Sequence, residues 1–296
     1  MSRKVLRGIR FRRLRRGVYA EASLPDDLAT RADAALLVLP DATTLSHQTS
    51  AALRGLPVPS DGPVHVTIPP DVPCPELDGV CCHRRAVSRL RLDGRPITEP
   101  AQNFIELAEH LALVDLVVAG DAMLRRSMLA PDELLQVARG RARRRGRALS
   151  IRAAGLVRPK VDSPMETRVR LLLVLAGLPE PEPGYVIRDE SGEWIAQVDL
   201  AYPARRIAIE YYGDVHRRSA GQWRSDVSKT ELLRGLGWTV IILTADDVDG
   251  RPERTLERVR LSLVSADHPL VPESFDDEWR EHLTPAWARE LLASRD

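Results

Sequence analysis

The stretch Glu193–Gly213, EWIAQVDLAYPARRIAIEYYG, reads as two short apolar strands joined by a proline-containing turn, with one carboxylate on each strand. Taking Pro203-Ala204-Arg205-Arg206 as the turn pairs Tyr202 with Ile207. Counting back through an antiparallel ladder sets Asp199 opposite Glu210, and Tyr212 opposite Gln197, with all four on one face. Directly opposed like charges destabilise a strand pair, and a divalent cation held between two carboxylates offsets them. The arrangement depends on register, because a slip of one residue turns one carboxylate to the other face. Taken alone, two lone acids on such a stretch read more readily as solubilising side chains of an exposed hairpin.

The residues around the hairpin add chemistry. Ser163-Pro164-Met165-Glu166 opens a helix in three respects: serine can cap, proline suits the first position, and the acid completes a capping box. Val169, Leu172, Leu173 and Ala176 give that helix a buried face, and Gly177 ends it. His216 follows closely after Gly213. A helix expected over Trp223–Leu236 carries Asp226, Lys229 and Leu233 on one face. The strand TVIIL at 239–243 is apolar enough for burial on both faces, and an amphipathic helix spans 254–264. The order is thus helix, strand, strand, helix, strand, helix. Two strand carboxylates, a nearby histidine, and a helix offering Asp226 and Lys229 suit metal-assisted phosphodiester hydrolysis. A metal would polarise the phosphate and lower the pKa of a bound water, with Lys229 or His216 managing protons or charge.

Length and composition bound the rest. A chain of 296 residues is long enough for two domains, and 44% hydrophobic with 29% charged residues is ordinary for a soluble protein. No apolar run approaches the ~18 residues of a membrane span, and the arginine-rich start lacks the apolar core of a signal peptide. A cytoplasmic protein without a membrane partner is expected. Cys74, Cys81 and Cys82 form an odd set lacking a zinc-type pair of pairs, so reduced thiols are expected rather than a disulfide framework. Cys81-Cys82-His83 is a weak metal candidate by itself. The net charge of +1 hides local asymmetry. Arg12, Arg13, Arg15 and Arg16 belong to one basic block, and Arg143, Arg144 and Arg145 to another. Both are candidate phosphate contacts, and either also fits a solvated face or a mobile arm.

In the first half, helices are expected over 26–39, 46–56, from Pro100 onward, and at about 114–126 and 131–146. VHVTI at 64–68 alternates as a strand, with Val64, Val66 and Ile68 on one side and His65 and Thr67 on the other. VCCHRRAV from Val80 is strand-like, and 153–161 reads as a linker. His47 is expected to make a local hydrogen bond rather than a catalytic contact.

Several of these residues carry a family resemblance. Glu166 on a helix, V-D-L at 198–200, I-E-Y-Y-G at 209–213, His216, Asp226 and L-G-W at 236–238 together resemble the PD-(D/E)XK nuclease superfamily. Within it, the likeness is to the branch related to very-short-patch-repair endonucleases, over roughly residues 160–265. The resemblance implies a restriction-endonuclease-like αβ domain acting on DNA, with Asp199 and Glu210 holding Mg²⁺ or Mn²⁺. Glu166 would assist, His216 or Lys229 would aid proton transfer, and Gln197, Tyr212 and Asp226 would line the site. The first half resembles the regions preceding such domains in AbiEi-type antitoxin proteins. There L-R-R-G-V-Y at 14–19 is similar to the wing of a winged helix, and L-S-H-Q-T-S-A-A-L-R-G-L at 45–56 matches the next block.

The implied organisation is a mixed α/β chain in four parts. Residues 1–60 form a winged-helix remnant and helical region, 61–155 a middle α/β region, 160–265 the nuclease-like domain, and 266–296 an acidic tail. A toxin–antitoxin or defence-system partner is implied with it. Two departures qualify the likeness. The superfamily's lysine falls two residues after Glu210, where close relatives of this branch tend to carry Asp and this chain has Tyr212; Lys229 could substitute from the neighbouring helix. The chain also begins nearly at the wing, so the helices that would read a DNA groove are expected to be absent. A catalytically degenerate nuclease fold, serving as a DNA-binding or antitoxin-type regulator, is therefore the alternative.

Overall fold

A computed structural model describes residues 6, 8–140, 145–213 and 220–283, apart from the side chains of 220–226. The chain is a mixed α/β protein. It divides into two compact units, one formed by residues 1–111 and 127–155, the other by 112–126 and 156–296.

The first unit opens with a hairpin of β1 (Phe11–Arg15) and β2 (Val18–Glu21), turned at Gly17 with φ +85. Helix α1 (Leu28–Leu36) is capped by Asp27, whose carboxylate accepts from Thr30 N at 2.8 Å. Then come β3 (Thr44–Leu45), α2 (His47–Leu53), β4 (Val64–Ile68), β5 (Val80–Arg84), β6 (Arg89–Leu92), β7 (Arg95–Thr98) and α3 (Pro100–Leu107). Five strands form a mixed sheet in the order β5-β4-β3-β7-β6. Strands β4 and β5 run parallel, pairing His65 with Cys81 and Thr67 with His83.

Alternation then sorts the side chains of this sheet. Val64, Val66 and Ile68 enter a core with Ala32, Ala35, Leu39, Leu45 and Ile97, and Cys82 and Cys74 pack against it. His65, Cys81 and His83 are left on the opposite face. Cys74 and Cys82 are joined as a disulfide and Cys81 is free, which corrects the expectation of three reduced thiols. Shared packing against one core brings together two cysteines that look unrelated in the sequence.

Helix α4 (Leu113–Arg125) belongs to the second unit, while α5 (Pro131–Gly140) and α6 (Arg147–Leu156) return to the first. The expected linker at 153–161 is helical through Leu156, because Ala153 and Ala154 are buried there.

The second unit continues with α7 (Pro164–Leu175), β8 (Glu182–Arg188), β9 (Trp194–Tyr202), β10 (Ile207–Tyr211), α8 (Ala220–Gly235), β11 (Thr239–Leu243), a π-turn at 246–250, α9 (Pro252–Ser265) and α10 (Glu278–Leu283). The sheet order is β11-β10-β9-β8. Strand β9 runs antiparallel to both β8 and β10, and β10 pairs parallel with β11. A parallel pair needs a crossover, and α8 lies in it. Helix α7 packs on β9, β10 and α4. Arg170, fully buried, ties α7 to α4 through Asp121 at 3.0 Å and reaches Glu180 at 2.9 Å. Among the described residues, no helix is long and apolar enough to cross a membrane.

Candidate functional site

The hairpin register is the one expected from the sequence. A 3₁₀ turn at Pro203–Arg205, closed by Arg206 at φ +50, pairs Tyr202 with Ile207, Ala201 with Ala208 and Leu200 with Ile209. The paired ladder stops there; continued by one step, the register would set Asp199 against Glu210, and the Asp199 Oδ2 accepts from Tyr211 N at 2.7 Å. The carboxylate therefore caps the end of the neighbouring strand. Glu210 is only 5% exposed, and Lys229 of α8 places its ammonium 2.6 Å from Glu210 Oε1. The same turn of α8 places Thr230 beside Tyr212, whose hydroxyl is 3.3 Å from Thr230 Oγ1. The helix face read from the sequence thus covers the carboxylate face of the sheet, with Leu233 buried against Ala201 and Ala208.

Glu166 adds a third acid from α7. Ser163 caps the helix as expected, its hydroxyl accepting from Glu166 N at 3.2 Å. The Glu166 side chain reaches back one residue further than a standard capping box, accepting from Asp162 N at 2.8 Å. Burial, and then the negative charge of Asp199, push the Glu166 carboxyl up to about 7. Glu166 of α7 and Asp199 of β9 thus share one electrostatic environment, and Lys229 pairs with the acid of β10, Glu210. Carboxylate oxygens are what a hard divalent cation takes, and Asp199, Glu210 and Glu166 are the acids here that could supply them.

Two lining residues fall differently. Gln197 pairs with Val186 of β8, and its amide donates to Asp162 Oδ2 at 3.4 Å. Tyr212 lies beyond the end of β10, with its N–H donating to Leu243 O at 2.7 Å. The two are not partners in a ladder, because β9–β10 pairing has ended and Tyr212 follows β11 instead. His216 and the side chain of Asp226 lie outside the described residues.

The arginines are partly committed. Arg12 donates to Leu24 O and Pro25 O at 2.9 and 2.8 Å and pairs with Asp26 at 3.1 Å. Arg15 donates to Asp78 O at 2.5 Å, and Arg13 to Arg15 O at 3.2 Å. These bonds tie the β1–β2 hairpin to residues 24–26 and to Asp78. Arg16 and Arg145 are exposed, whereas Arg143 and Arg144 lie outside the described residues.

The first unit contains a cluster that the motif reading missed. His47, His65, His83 and His110 bring their rings together, with His47 stacked on His83 at 3.6 Å and the other centroid separations between 5.2 and 5.6 Å. His47 does make the expected local bond, its Nδ1 lying 2.9 Å from Ser46 Oγ. Its backbone is also gripped by α3, through Glu106 accepting from His47 N at 3.1 Å and Asn103 donating to His47 O at 2.9 Å. That grip holds His47 at φ +49, a conformation L residues seldom adopt.

Glu109 stands at 3.8 Å from His47 Nε2 and is clamped by Arg85 through two bonds of 2.7 and 2.8 Å. Burial lowers all four imidazoles, His65 and His83 to about 4, so they are neutral near pH 7. The signal in the sequence was the shared strand phase of His65 and His83. It becomes readable only once β4 and β5 are known to be neighbours.

With the geometry described, comparison with known proteins gives a family. Over 220 residues the chain is 31% identical to "Uncharacterized protein Rv2248" of Mycobacterium tuberculosis strain H37Rv, covering 74% of this chain and 80% of that protein. It is equally similar, with the same coverage, to "Uncharacterized protein MT2308" of strain CDC 1551 / Oshkosh. The chain belongs to the family of these mycobacterial proteins. No family model and no solved structure matches it.

Proposed function

We propose that the chain is a metal-dependent phosphodiester hydrolase acting on DNA, with a second unit of the restriction-endonuclease-like, PD-(D/E)XK kind. The observation that carries this reading is the Lys229 ammonium, 2.6 Å from Glu210, with the Asp199 carboxylate held next to it on the Tyr211 N–H. The lysine missing two residues after Glu210 is supplied from α8. Asp199 and Glu210 would hold Mg²⁺ or Mn²⁺, which supplies charge neutralisation at the phosphate and a more acidic water. Lys229 orients Glu210 and places positive charge where a phosphate's negative charge grows. Glu166, with its carboxyl near 7, is suited to exchanging a proton at neutral pH.

The test is nicking of supercoiled plasmid in Mg²⁺ or Mn²⁺. Asp199→Ala is expected to abolish it, and Lys229→Ala to slow it by about 10²–10³-fold, the cost of one preorganised charge-stabilising group. A wild type that nicks in neither metal, with calorimetric metal-binding heats identical to those of Asp199→Ala, removes the hydrolase reading.

One observation favours a second reading. Tyr212 occupies the position of the superfamily's lysine, and its hydroxyl is turned to Thr230. A nuclease fold without activity would then serve as a DNA-binding or antitoxin-type regulator with a toxin or defence-system partner. Both readings require phosphate contacts, so DNA affinity should fall steeply between about 50 and 200 mM salt. Affinity that is flat over that range contradicts both.

A further inference from the structure

Four of the chain's seven histidines, at positions 47, 65, 83 and 110, converge in the first unit, far from one another in sequence. His47 is fully buried, and its Nε2 makes no hydrogen bond among the described residues although its Nδ1 is held by Ser46. An imidazole fixed at one nitrogen and left with the other buried and unbonded is the arrangement of a metal ligand before the metal arrives. The ligand atoms of His47, His83, His110 and Glu109 all lie within 4.8 Å of one another. Tetrahedral zinc with bonds of about 2.0–2.1 Å needs ligand atoms roughly 3.4 Å apart. Closing the difference requires side-chain rotation, for which exposed His110 has the most room.

We propose that the first unit binds one divalent transition-metal ion of zinc type through His47, His83, His110 and Glu109. Three imidazoles and one carboxylate favour zinc-type ions over Mg²⁺, which prefers oxygen ligands. Four protein ligands make a closed, structural kind of site. Arg85 holds the Glu109 carboxylate by two bonds, and His65 fixes the His83 ring, its Nδ1 lying 3.1 Å from His83 Nε2. The strained backbone of His47, clamped by Glu106 and Asn103, aims the ring at the cluster. The ion would pin β5 to the start of α2 and to the chain just after α3. This inference is independent of the hydrolase reading, which concerns the other unit.

The test uses the untagged full-length chain, stripped with a chelator and titrated with Zn²⁺ and with Co²⁺ as a spectroscopic probe. One equivalent of Zn²⁺ is expected to bind at the histidines, counted separately from any held at Asp199 and Glu210, and Co²⁺ should give the intense visible bands of a four-coordinate site. His83→Asn and His110→Asn should each weaken binding by more than about 100-fold, since even removing a supporting residue costs 10–100-fold. Asp199→Ala should leave it unchanged. Because His110 is exposed, its variant keeps the fold, which far-UV circular dichroism checks. The proposal is overturned by a wild type that binds neither ion. It is equally overturned by folded histidine variants that bind as the wild type does, or by binding that disappears with Asp199→Ala.

Discussion

At the scale of single residues, Glu166 does two jobs that the sequence shows only one at a time. The capping pattern S-P-M-E is legible, and the structure uses it, with Ser163 at the cap and Glu166 bonded back to Asp162 N. The pairing of Glu166 with the field of Asp199 is not legible, because it depends on α7 lying over β9. Its consequence has a definite sign. A carboxyl raised from 4.5 to about 7 keeps its proton in the folded state, so its contribution to stability is complete below about pH 4.5 and lost as pH rises through about 7. The loss amounts to at most about 3 kcal/mol. In metal-free buffer, Glu166→Gln should therefore raise the urea midpoint at pH 8 and leave it nearly unchanged at pH 4.5. An equal effect at both pH values would show that the carboxyl does not titrate in this window. Tyr212 belongs to the same scale: its departure from the superfamily pattern was readable, while its contact with Thr230 was not.

At the scale of elements, strands with clean alternation or a plain turn were visible, and irregular ones were not. The β9–β10 register followed from counting around Pro203–Arg206. Strand β8 went unread because Glu182-Pro183-Gly184-Tyr185 looks like a turn. Proline is tolerated there because β8 is the edge of its sheet. Gly184, at φ +56, sits where a Cβ would come within 2.5 Å of Lys160 O. The β6–β7 hairpin was also missed, although Asp93-Gly94, both at positive φ, is a favoured hairpin turn.

The join between α4 and α7 carries the prediction at this scale. Asp121 is almost fully buried; burial raises its carboxyl, and Arg170, Arg158 N and Thr167 oppose that rise. Arg170→Met leaves that acid without its cation and should cost about 3–5 kcal/mol in urea unfolding. Adding Asp121→Leu should recover most of the loss. A single variant as stable as the wild type would mean that the pair contributes nothing.

At the scale of the whole molecule, the division into units does not follow the chain. Helix α4, whose Leu113, Val114, Leu116 and Val117 are buried, comes from the first half and completes the second unit. A fragment of residues 156–296 removes that helix from α7 and deprives Arg170 of Asp121. It should unfold at a much lower denaturant concentration than the same residues in the full chain, followed by circular dichroism. Equal stability of the fragment would show that α4 is dispensable.

The sequence by itself determined the mixed α/β class, the hairpin register and the shared helix face of Lys229 and Leu233. These depend on periods of 2 and 3.6 residues and on turn chemistry, which act between near neighbours. Only the tertiary structure decided which carboxylates meet Lys229, that Cys74 meets Cys82, that α4 completes the second unit, and that four separated histidines share one cluster. Those contacts join residues far apart in the chain. Their partners are chosen by the burial of apolar faces in a common core, which no local pattern records.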